Sequence, residues 1–596
     1  MRLRGPDDLD QDDALGRAFD RRLARRLVLA AWPHRGIIAA SLALFPLSAL
    51  VELAQPYLLK VAIDEHILRS DWPGLGRIAT LFAGTLLALY ALHAVQAYLM
   101  HVTGQRVMHD LRTGLFRHLM SLEARFFDRN PVGRLMTRVL YDVEAVSEAF
   151  TSGLSAVVAD VITLAGVVAV MLWMNWPLAL VTFSLVPLLA AVAAFFRLRA
   201  RDAYRQVRRR LSRLNGFLQE SLQGMTVIQL FARERAEGER FRRFNAEYRR
   251  ALFGSTIWEA SLYAAVEALG SAALALLIWY GAGGIAADTL TFGALVAFIQ
   301  YINRFFLPIR DLGAKYTVMQ AAMAAAERIF GLLDVAPAIQ APAAQRRLPP
   351  TAQASIELRS VWFAYDDEHW VLRDCSLVVR PGERVAIVGA TGEGKSTCAR
   401  LLNRSYDVTR GQVLVDGVDV REWDLAALRR RIGIIFQDTV LFTGTVEANL
   451  RLGVDGAVPA AALERAVDAA NARGLVAALP RGLDEALGER GANLSHGQRQ
   501  LLAIARALVY DPAVLVLDEA TSSVDPESEA LIQDAMRRLS VGRTTITIAH
   551  RLSTVQGADR ILVLHRGHVA EEGRHADLLR AGGIYARLWE LRGSVR

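Results

Sequence analysis

Residues 389–397 read GATGEGKST, between the apolar run 385–388 and a helix-like segment. Glycines at this spacing let backbone N–H groups curl around phosphate oxygens, while the helix that follows points its positive end at them. In such a loop Gly389, Thr391, Gly392, Gly394 and Thr397 line the cradle, Lys395 reaches the β- and γ-phosphates, and Ser396 can hold Mg²⁺. A strand before and a helix after are the context this loop needs, so the C-terminal part reads as an α/β nucleotide-binding domain.

The rest of the chain is of another kind. At 596 residues it is too long for one core. Hydrophobic residues make up 53% and mean hydropathy is +0.24, which points to a part that lives in lipid. The net charge is +8, carried almost entirely by arginine, with lysine only at 60, 315 and 395. Lys395 is thus the last lysine in the chain, a slim point charge suited to a phosphate site. The positive excess clusters beside apolar spans, as cytoplasmic loops of membrane proteins have it, so nucleic acid is not expected as a partner. Cys375 and Cys398 are the two cysteines; no disulfide framework or thiolate metal site is implied.

Residues 1–35 run from an acidic stretch to a basic one and carry no apolar core of signal-peptide type. Leu15, Phe19, Leu23 and Leu27 at four-residue spacing predict an amphipathic helix with an arginine face, able to lie on a membrane surface. Six apolar stretches follow, at 36–62, 78–100, 154–174, 178–197, 260–284 and 289–309, each near the ~20 residues needed to span a bilayer. The short turns at 175–177 and 285–288 lack Lys and Arg, whereas 197–213 holds Arg197, Arg199, Arg201, Arg205, Arg208, Arg209, Arg210 and Arg213. Both termini and the long loops are therefore expected in the cytoplasm.

Those loops, 101–153 and 198–259, read as membrane helices continued into the cytosol. They are expected to turn near 125–130 and near 213–220, giving levers around Phe127 and Phe217. Within the spans, Glu52, Gln55, His93, Gln96, Asp160, Glu267 and the polar run 300–304 either bind cargo or tie helices together. Residues 334–355, rich in Pro and Ala, mark a linker. The domains expected are 1–35, 36–334, a linker at 335–355, and 356–596. Strands are expected at 356–363, 371–379, 384–388, 432–436, 514–517 and 545–549, alternating with helices around a sheet.

The run 515–525, LVLDEATSSVD, ends a buried-looking strand in Asp518 and Glu519. Asp518 suits a water-mediated hold on Mg²⁺; Glu519 can orient or deprotonate a water that attacks the γ-phosphate. Residues 494–500, LSHGQRQ, precede this strand and match a signature motif. Together these pieces resemble an ATP-binding cassette exporter half-transporter, six membrane helices fused ahead of one cassette, over nearly the whole chain.

The resemblance implies further roles. Tyr365 stacks on adenine, Gln437 senses Mg²⁺ and links to the membrane helices, and His550 contacts the γ-phosphate. Residues 522–525 speak across a dimer, and 488–491 resemble an exporter-type element, which argues against an importer. Two cassettes close head to tail, so Ser495, Gly497 and Gln498 complete the ATP site of another polypeptide. His496 stands where the family usually has glycine, while Glu519 and His550 are intact; this favours a heterodimer with a second half-transporter over a homodimer. Glu393 places a carboxylate inside a loop built for anions, and in a homodimer it could pair with His496 of the other copy. The expected function is ATP-driven export of amphipathic drugs, lipids or peptides across a bacterial inner membrane, whose lipids surround it. The alternatives are a dedicated lipid flippase and an ATP-gated channel or regulatory subunit.

Overall fold

The computed structural model describes residues 20–340, 354–366, 369–437, 439–454, 456, 458–518, 526–549 and 555–593. They divide by contacts into two units, Met1–Met120 with Gly133–Val335, and Ser121–Val132 with Ala336–Arg596. The first is helical and the second is an α/β domain that includes one short segment from far up the chain.

In the helical unit, α1 (Arg21–Ala31) begins at Asp20, whose side chain accepts from Arg22 N. Then come α2 (Arg35–Val61) and α3 (Trp72–Ser121). The α/β unit claims α4 (Ala124–Arg129). The chain returns through α5 (Val132–Thr137), α6 (Val143–Glu148), α7 (Ser155–Met174), α8 (Trp176–Phe183), α9 (Val186–Gln223), α10 (Met225–Leu230), α11 (Glu234–Ala286) and α12 (Phe292–Leu333). Among the described residues, five helical runs are long and apolar enough to cross a membrane: Arg21–Ile67, Trp72–Ser121, Val132–Met174, Trp176–Phe196 and Glu234–Ala286. The sixth expected stretch opens α12, with Phe292–Pro308 as its apolar part.

Phe298, Tyr301 and Ile302 of α12 pack with Val167 and Met171 of α7, Leu178 of α8 and Leu277 of α11. Pro56 inside α2 has no N–H, so the carbonyl one turn earlier loses its helical donor. Arg304 of α12 donates to that carbonyl, on Glu52, and Tyr301 donates to the carbonyl of Leu53 at 2.6 Å. Arg304 also donates to Gln55 Oε1 at 2.8 Å, and Lys315 pairs with Asp160. Glu52, Gln55, Asp160 and Arg304 are therefore spent on joining helices, as lipid demands of freed polar groups. His93 and Glu267 are exposed on this chain.

One expected turn is corrected. Residues 213–220 do not turn; α9 continues to Gln223, and the reversal comes at Gly224 and at 231–233, where Ala232 has φ 48°. Asn215 and Gly216 suggested a break, yet neighbouring Phe217 packs on Phe244 of α11 at 5.3 Å with Arg240 over its ring, and that side-by-side packing outweighs local propensity. The first turn falls at α4.

The α/β unit holds two main sheets where one was expected. β1 (Ile356–Ala364), β2 (Trp370–Val379), β4 (Arg410–Val415) and β5 (Val418–Asp419) form an antiparallel sheet in the order β2-β1-β4-β5. The other runs β12-β11-β3-β10-β9-β6, with β3 (Arg384–Val388), β6 (Ile432–Ile435), β9 (Val514–Asp518), β10 (Thr544–Ile548) and β11 (Arg560–His565) parallel and β12 (His568–Gly573) antiparallel at the edge. A small pair, β7 (Gly444–Thr445) and β8 (Ala486–Leu487), stands apart. Burial explains the division: β3 and β9 are buried almost throughout, as strands covered on both faces must be, while β1 and β2 show exposed positions among buried ones.

Strands β4, β5, β11 and β12 were not anticipated. Each pair is a hairpin with left-handed central residues, Asp416-Gly417 and Arg566-Gly567, and the first of these dipeptides is a strong hairpin signal in the sequence. The helices of this unit are α13 (Lys395–Leu402), α14 (Leu425–Arg431), α15 (Val446–Leu450), α16 (Ala460–Ala469), α17 (Arg473–Ala478), α18 (His496–Tyr510) and α19 (Pro526–Ser540), followed by two short C-terminal ones. One core lies between the two sheets and α13; a second joins α15, α16, α18 and α19.

Candidate nucleotide site

The loop 389–397 leaves β3, between β11 and β10, and enters α13. Two of its glycines are required by space and backbone. A Cβ on Gly389 would stand 2.6 Å from the Leu564 carbonyl; Gly394, at φ 93°, would press one to 2.8 Å from Leu372 Cδ2. The Lys395 ammonium is buried and folds back on the loop, 2.7 Å from the Ala390 carbonyl and 3.1 Å from that of Gly389. Thr391, Gly392 and Ser396 are exposed to a ligand, while Thr397 is buried beneath them.

Ser396 Oγ donates to Asp518 Oδ1 at 3.2 Å, where β9 ends facing the first turn of α13. Desolvation pushes the Asp518 carboxyl above its ordinary range against the opposing pull of the Ser396 hydrogen bond, Arg400 and Lys395. These two oxygens form a donor set suited to a hard divalent cation such as Mg²⁺. Tyr365 follows β1; its hydroxyl lies 3.1 Å from Thr397 Oγ1 and its ring meets Phe363 and Tyr406 edge-on. Tyr365, the phosphate loop and Asp518 are thus one site.

The signature residues sit on the second core and bond within α18. Ser495 is its N-cap, accepting from Gln498 N at 3.2 Å while Gln498 Oε1 accepts from Ser495 N at 2.9 Å, a capping box. His496 is the first helical residue and is not among those with positive φ, so no strained backbone opposes a side chain there. Its Nε2 is 3.3 Å from Nε2 of buried Gln500. Gln437 lies in the exposed bend after β6. Glu519, His550 and residues 522–525 fall outside the described residues.

Glu393 lies beside a histidine. Its carboxylate stands 3.5 Å from Nδ1 of His565, at the end of β11, in the same chain. Within the chain, His565 is thus a neighbour of Glu393 that the sequence reading does not supply, because β11 is not among its strands.

The segment 121–132 seats α4 on the domain. Arg125 donates to the Ala364 carbonyl and Arg129 to the Tyr365 carbonyl, both at 3.1 Å, and Asp128 accepts from the Tyr406 hydroxyl. Glu123 accepts from Ala338 N at 3.0 Å.

Comparison with known proteins agrees with this architecture. Residues 38–309 match the ABC transporter transmembrane region and 372–522 the ABC transporter domain. The chain is 36% identical over 97% of its length to an uncharacterized ABC transporter ATP-binding protein of Bacillus subtilis, covering 96% of that protein. It belongs to the ABC exporter family. An ATP-dependent lipid A-core flippase of Syntrophus aciditrophicus is 36% identical over 95% of the chain and 94% of its own length. A probable multidrug resistance ABC transporter ATP-binding/permease protein of Bacillus subtilis is 35% identical, over 87% of this chain and 77% of its own. The structure of a bacterial Atm1-family ABC exporter with ATP bound superposes with a TM-score of 0.78 at 30% identity, covering 94% of this chain and 99% of that one. As an ABC exporter it is a membrane-spanning protein that binds ATP, couples its hydrolysis to transport, and acts in a dimer.

Proposed function

We propose that this exporter moves amphipathic or hydrophobic molecules out of the cytoplasm across a bacterial inner membrane, with the cassette and both termini cytoplasmic. The observation that carries the mechanism is the contact of α4 with Tyr365: the first cytoplasmic turn grips the backbone of the residue proposed to stack on adenine. In this reading Lys395 and the N–H groups of 389–397 bind the phosphates, and Ser396, Gln437 and Asp518 hold Mg²⁺, which when bound neutralises charge on the β- and γ-phosphates. Glu519 orients and deprotonates the attacking water, and His550 contacts the γ-phosphate. Ser495, Gly497 and Gln498 of the partner close over it, the N-terminus of the partner's signature helix pointing at its charge. Closure draws on α4, and hydrolysis releases it.

The finer question is the partner. His496 argues for a heterodimer, now through the bulk of its side chain alone, since its backbone is unstrained. Mass measurement and ATPase assay of the chain purified by itself decide it. A fully active dimer is the homodimer; a chain that gains activity only with a second half-transporter is half of a heterodimer.

The names of the lipid A-core flippases favour a second reading, lipid as cargo. Proteoliposomes separate the two. ATP-dependent accumulation of a cationic amphipathic dye, lost in Glu519→Gln, supports the drug reading; bilayer crossing by labelled lipid without dye transport supports the other. Neither activity would refute export of this class.

A further inference from the structure

A chain of side chains joins α4 to the phosphate loop through the adenine-side tyrosine. Asp128 accepts from the hydroxyl of Tyr406, a residue in the loop after α13 that is only 4% exposed. The Tyr406 ring meets Tyr365 at 5.2 Å with an interplanar angle of 90° and Phe363 at 5.6 Å and 73°. Tyr365 in turn reaches Thr397, in the first turn of α13, through its hydroxyl. Arg400, one turn further along α13, stands 3.9 Å from Asp128.

Edge-to-face contacts are directional, because the positive edge of one ring meets the negative face of the other. The plane of Tyr365 is therefore set by the plane of Tyr406, and that plane is anchored at α4. Burial and the Asp128 carboxylate push the Tyr406 phenol far above its ordinary range, so it remains a donor throughout physiological pH.

We propose that Tyr406 is a positioning residue: its hydroxyl bond to Asp128 and its edge contact with Tyr365 make the stacking plane offered to the base depend on how α4 is seated. By reciprocity α4 then senses the base of the nucleotide as well as its phosphates. This rests on the reading in which Tyr365 stacks on adenine.

The test measures binding of two magnesium complexes to the full-length protein: a non-hydrolysable ATP analogue, and inorganic tripolyphosphate, which has phosphates and no base. Tyr406→Phe keeps the ring and removes the bond to Asp128. It is expected to weaken the ATP analogue about fivefold, the loss typical of one charge-assisted hydrogen bond acting through a neighbour, and to leave tripolyphosphate within about twofold. Asp128→Ala, which leaves the Tyr406 hydroxyl without its acceptor, should do the same, and the double variant should be no weaker than either single one, as for two halves of one interaction. Equal weakening of both ligands, no weakening, or losses that multiply in the double variant would overturn the proposal. Tyr365→Ala tests the underlying reading by itself. If it does not lower affinity for the analogue relative to tripolyphosphate, adenine stacking is wrong whatever Tyr406 does; if it does while Tyr406→Phe has no effect, only the positioning role fails.

Discussion

Replacing Asp518 with Asn should stabilise the nucleotide-free exporter while disabling it. The carboxylate lies at the end of a buried strand, accepts one hydrogen bond from Ser396 at 3.2 Å, and has its pKa raised because desolvation exceeds the pull of Ser396, Arg400 and Lys395. Its charged form is thus less favourable in the folded chain than in the unfolded one. For a carboxyl with a raised folded pKa, the stability it contributes is full below the ordinary aspartate value of about 3.9 and is lost as pH rises through the folded value. At neutral pH the charge is therefore a net cost. The amide keeps an oxygen for Ser396 and removes that cost, so Asp518→Asn should gain about 1 kcal/mol, the usual scale for relieving a strained functional site. For a domain of this size that corresponds to roughly 2–4 °C in apparent melting temperature. Thermal unfolding of the detergent-solubilised chain measures it. The gain should shrink as pH falls through the raised folded value, where the wild-type carboxyl takes up its proton, and the Mg²⁺-dependent part of the stabilisation by ATP should disappear in the variant. An unchanged or lowered melting temperature without nucleotide would refute the reasoning, since it would mean that the neighbouring cations outweigh desolvation.

Gly394→Ala places a side chain at φ 93° with its Cβ 2.8 Å from Leu372 Cδ2; strain of about 1–3 kcal/mol at such a position should lower ATP affinity at least about fivefold, read by equilibrium binding. Glu393→Gln should tighten ATP binding by about threefold by removing a carboxylate from the phosphate loop, and His565→Gln should weaken binding only where Glu393 is present; equal effects of His565→Gln in both backgrounds would contradict the pairing. Arg26 donates to both oxygens of Asp334 at 2.7 and 2.8 Å and lies 4.3 Å over the Phe330 ring, and its hydrogen bond holds the Asp334 carboxyl below its usual range. With Asp334 more than half exposed, the pair is discounted for solvent, and Arg26→Ala should cost about 1 kcal/mol, seen as roughly fivefold faster amide exchange in α1. That contribution is present above the ordinary aspartate pKa and should fade as pH falls through the depressed folded value.

Much of this protein is local, and local features are legible in a sequence. The phosphate loop is nine consecutive residues whose chemistry needs only a strand before and a helix after. The apolar stretches are set by bilayer thickness, which acts on each span separately. The signature run 494–500 likewise carries its own capping box, Ser495 with Gln498, within four residues. The reading goes astray where packing overrides a local signal, where a plain one such as Asp416-Gly417 is passed over, and where the signal is weak. Asn215 and Gly216 promised a turn that packing against α11 overrides, and the hairpin at Arg566-Gly567 has no neighbouring dipeptide as plain as Asp416-Gly417.

The class of machine is legible in consecutive residues: a nucleotide cassette behind membrane helices, with the loop 389–397 and Asp518 at its centre. Which residues meet from distant parts of the chain is a matter of the fold. Glu393 finds His565 some 170 residues away, Pro56 has its freed carbonyl satisfied from α12, and Asp128 reaches Tyr365 through Tyr406. The reason is physical. A backbone motif is fixed by the φ/ψ freedom and hydrogen bonds of neighbours in sequence, whereas a side-chain contact depends on the arrangement of sheets and helices that brings distant residues within a few ångströms.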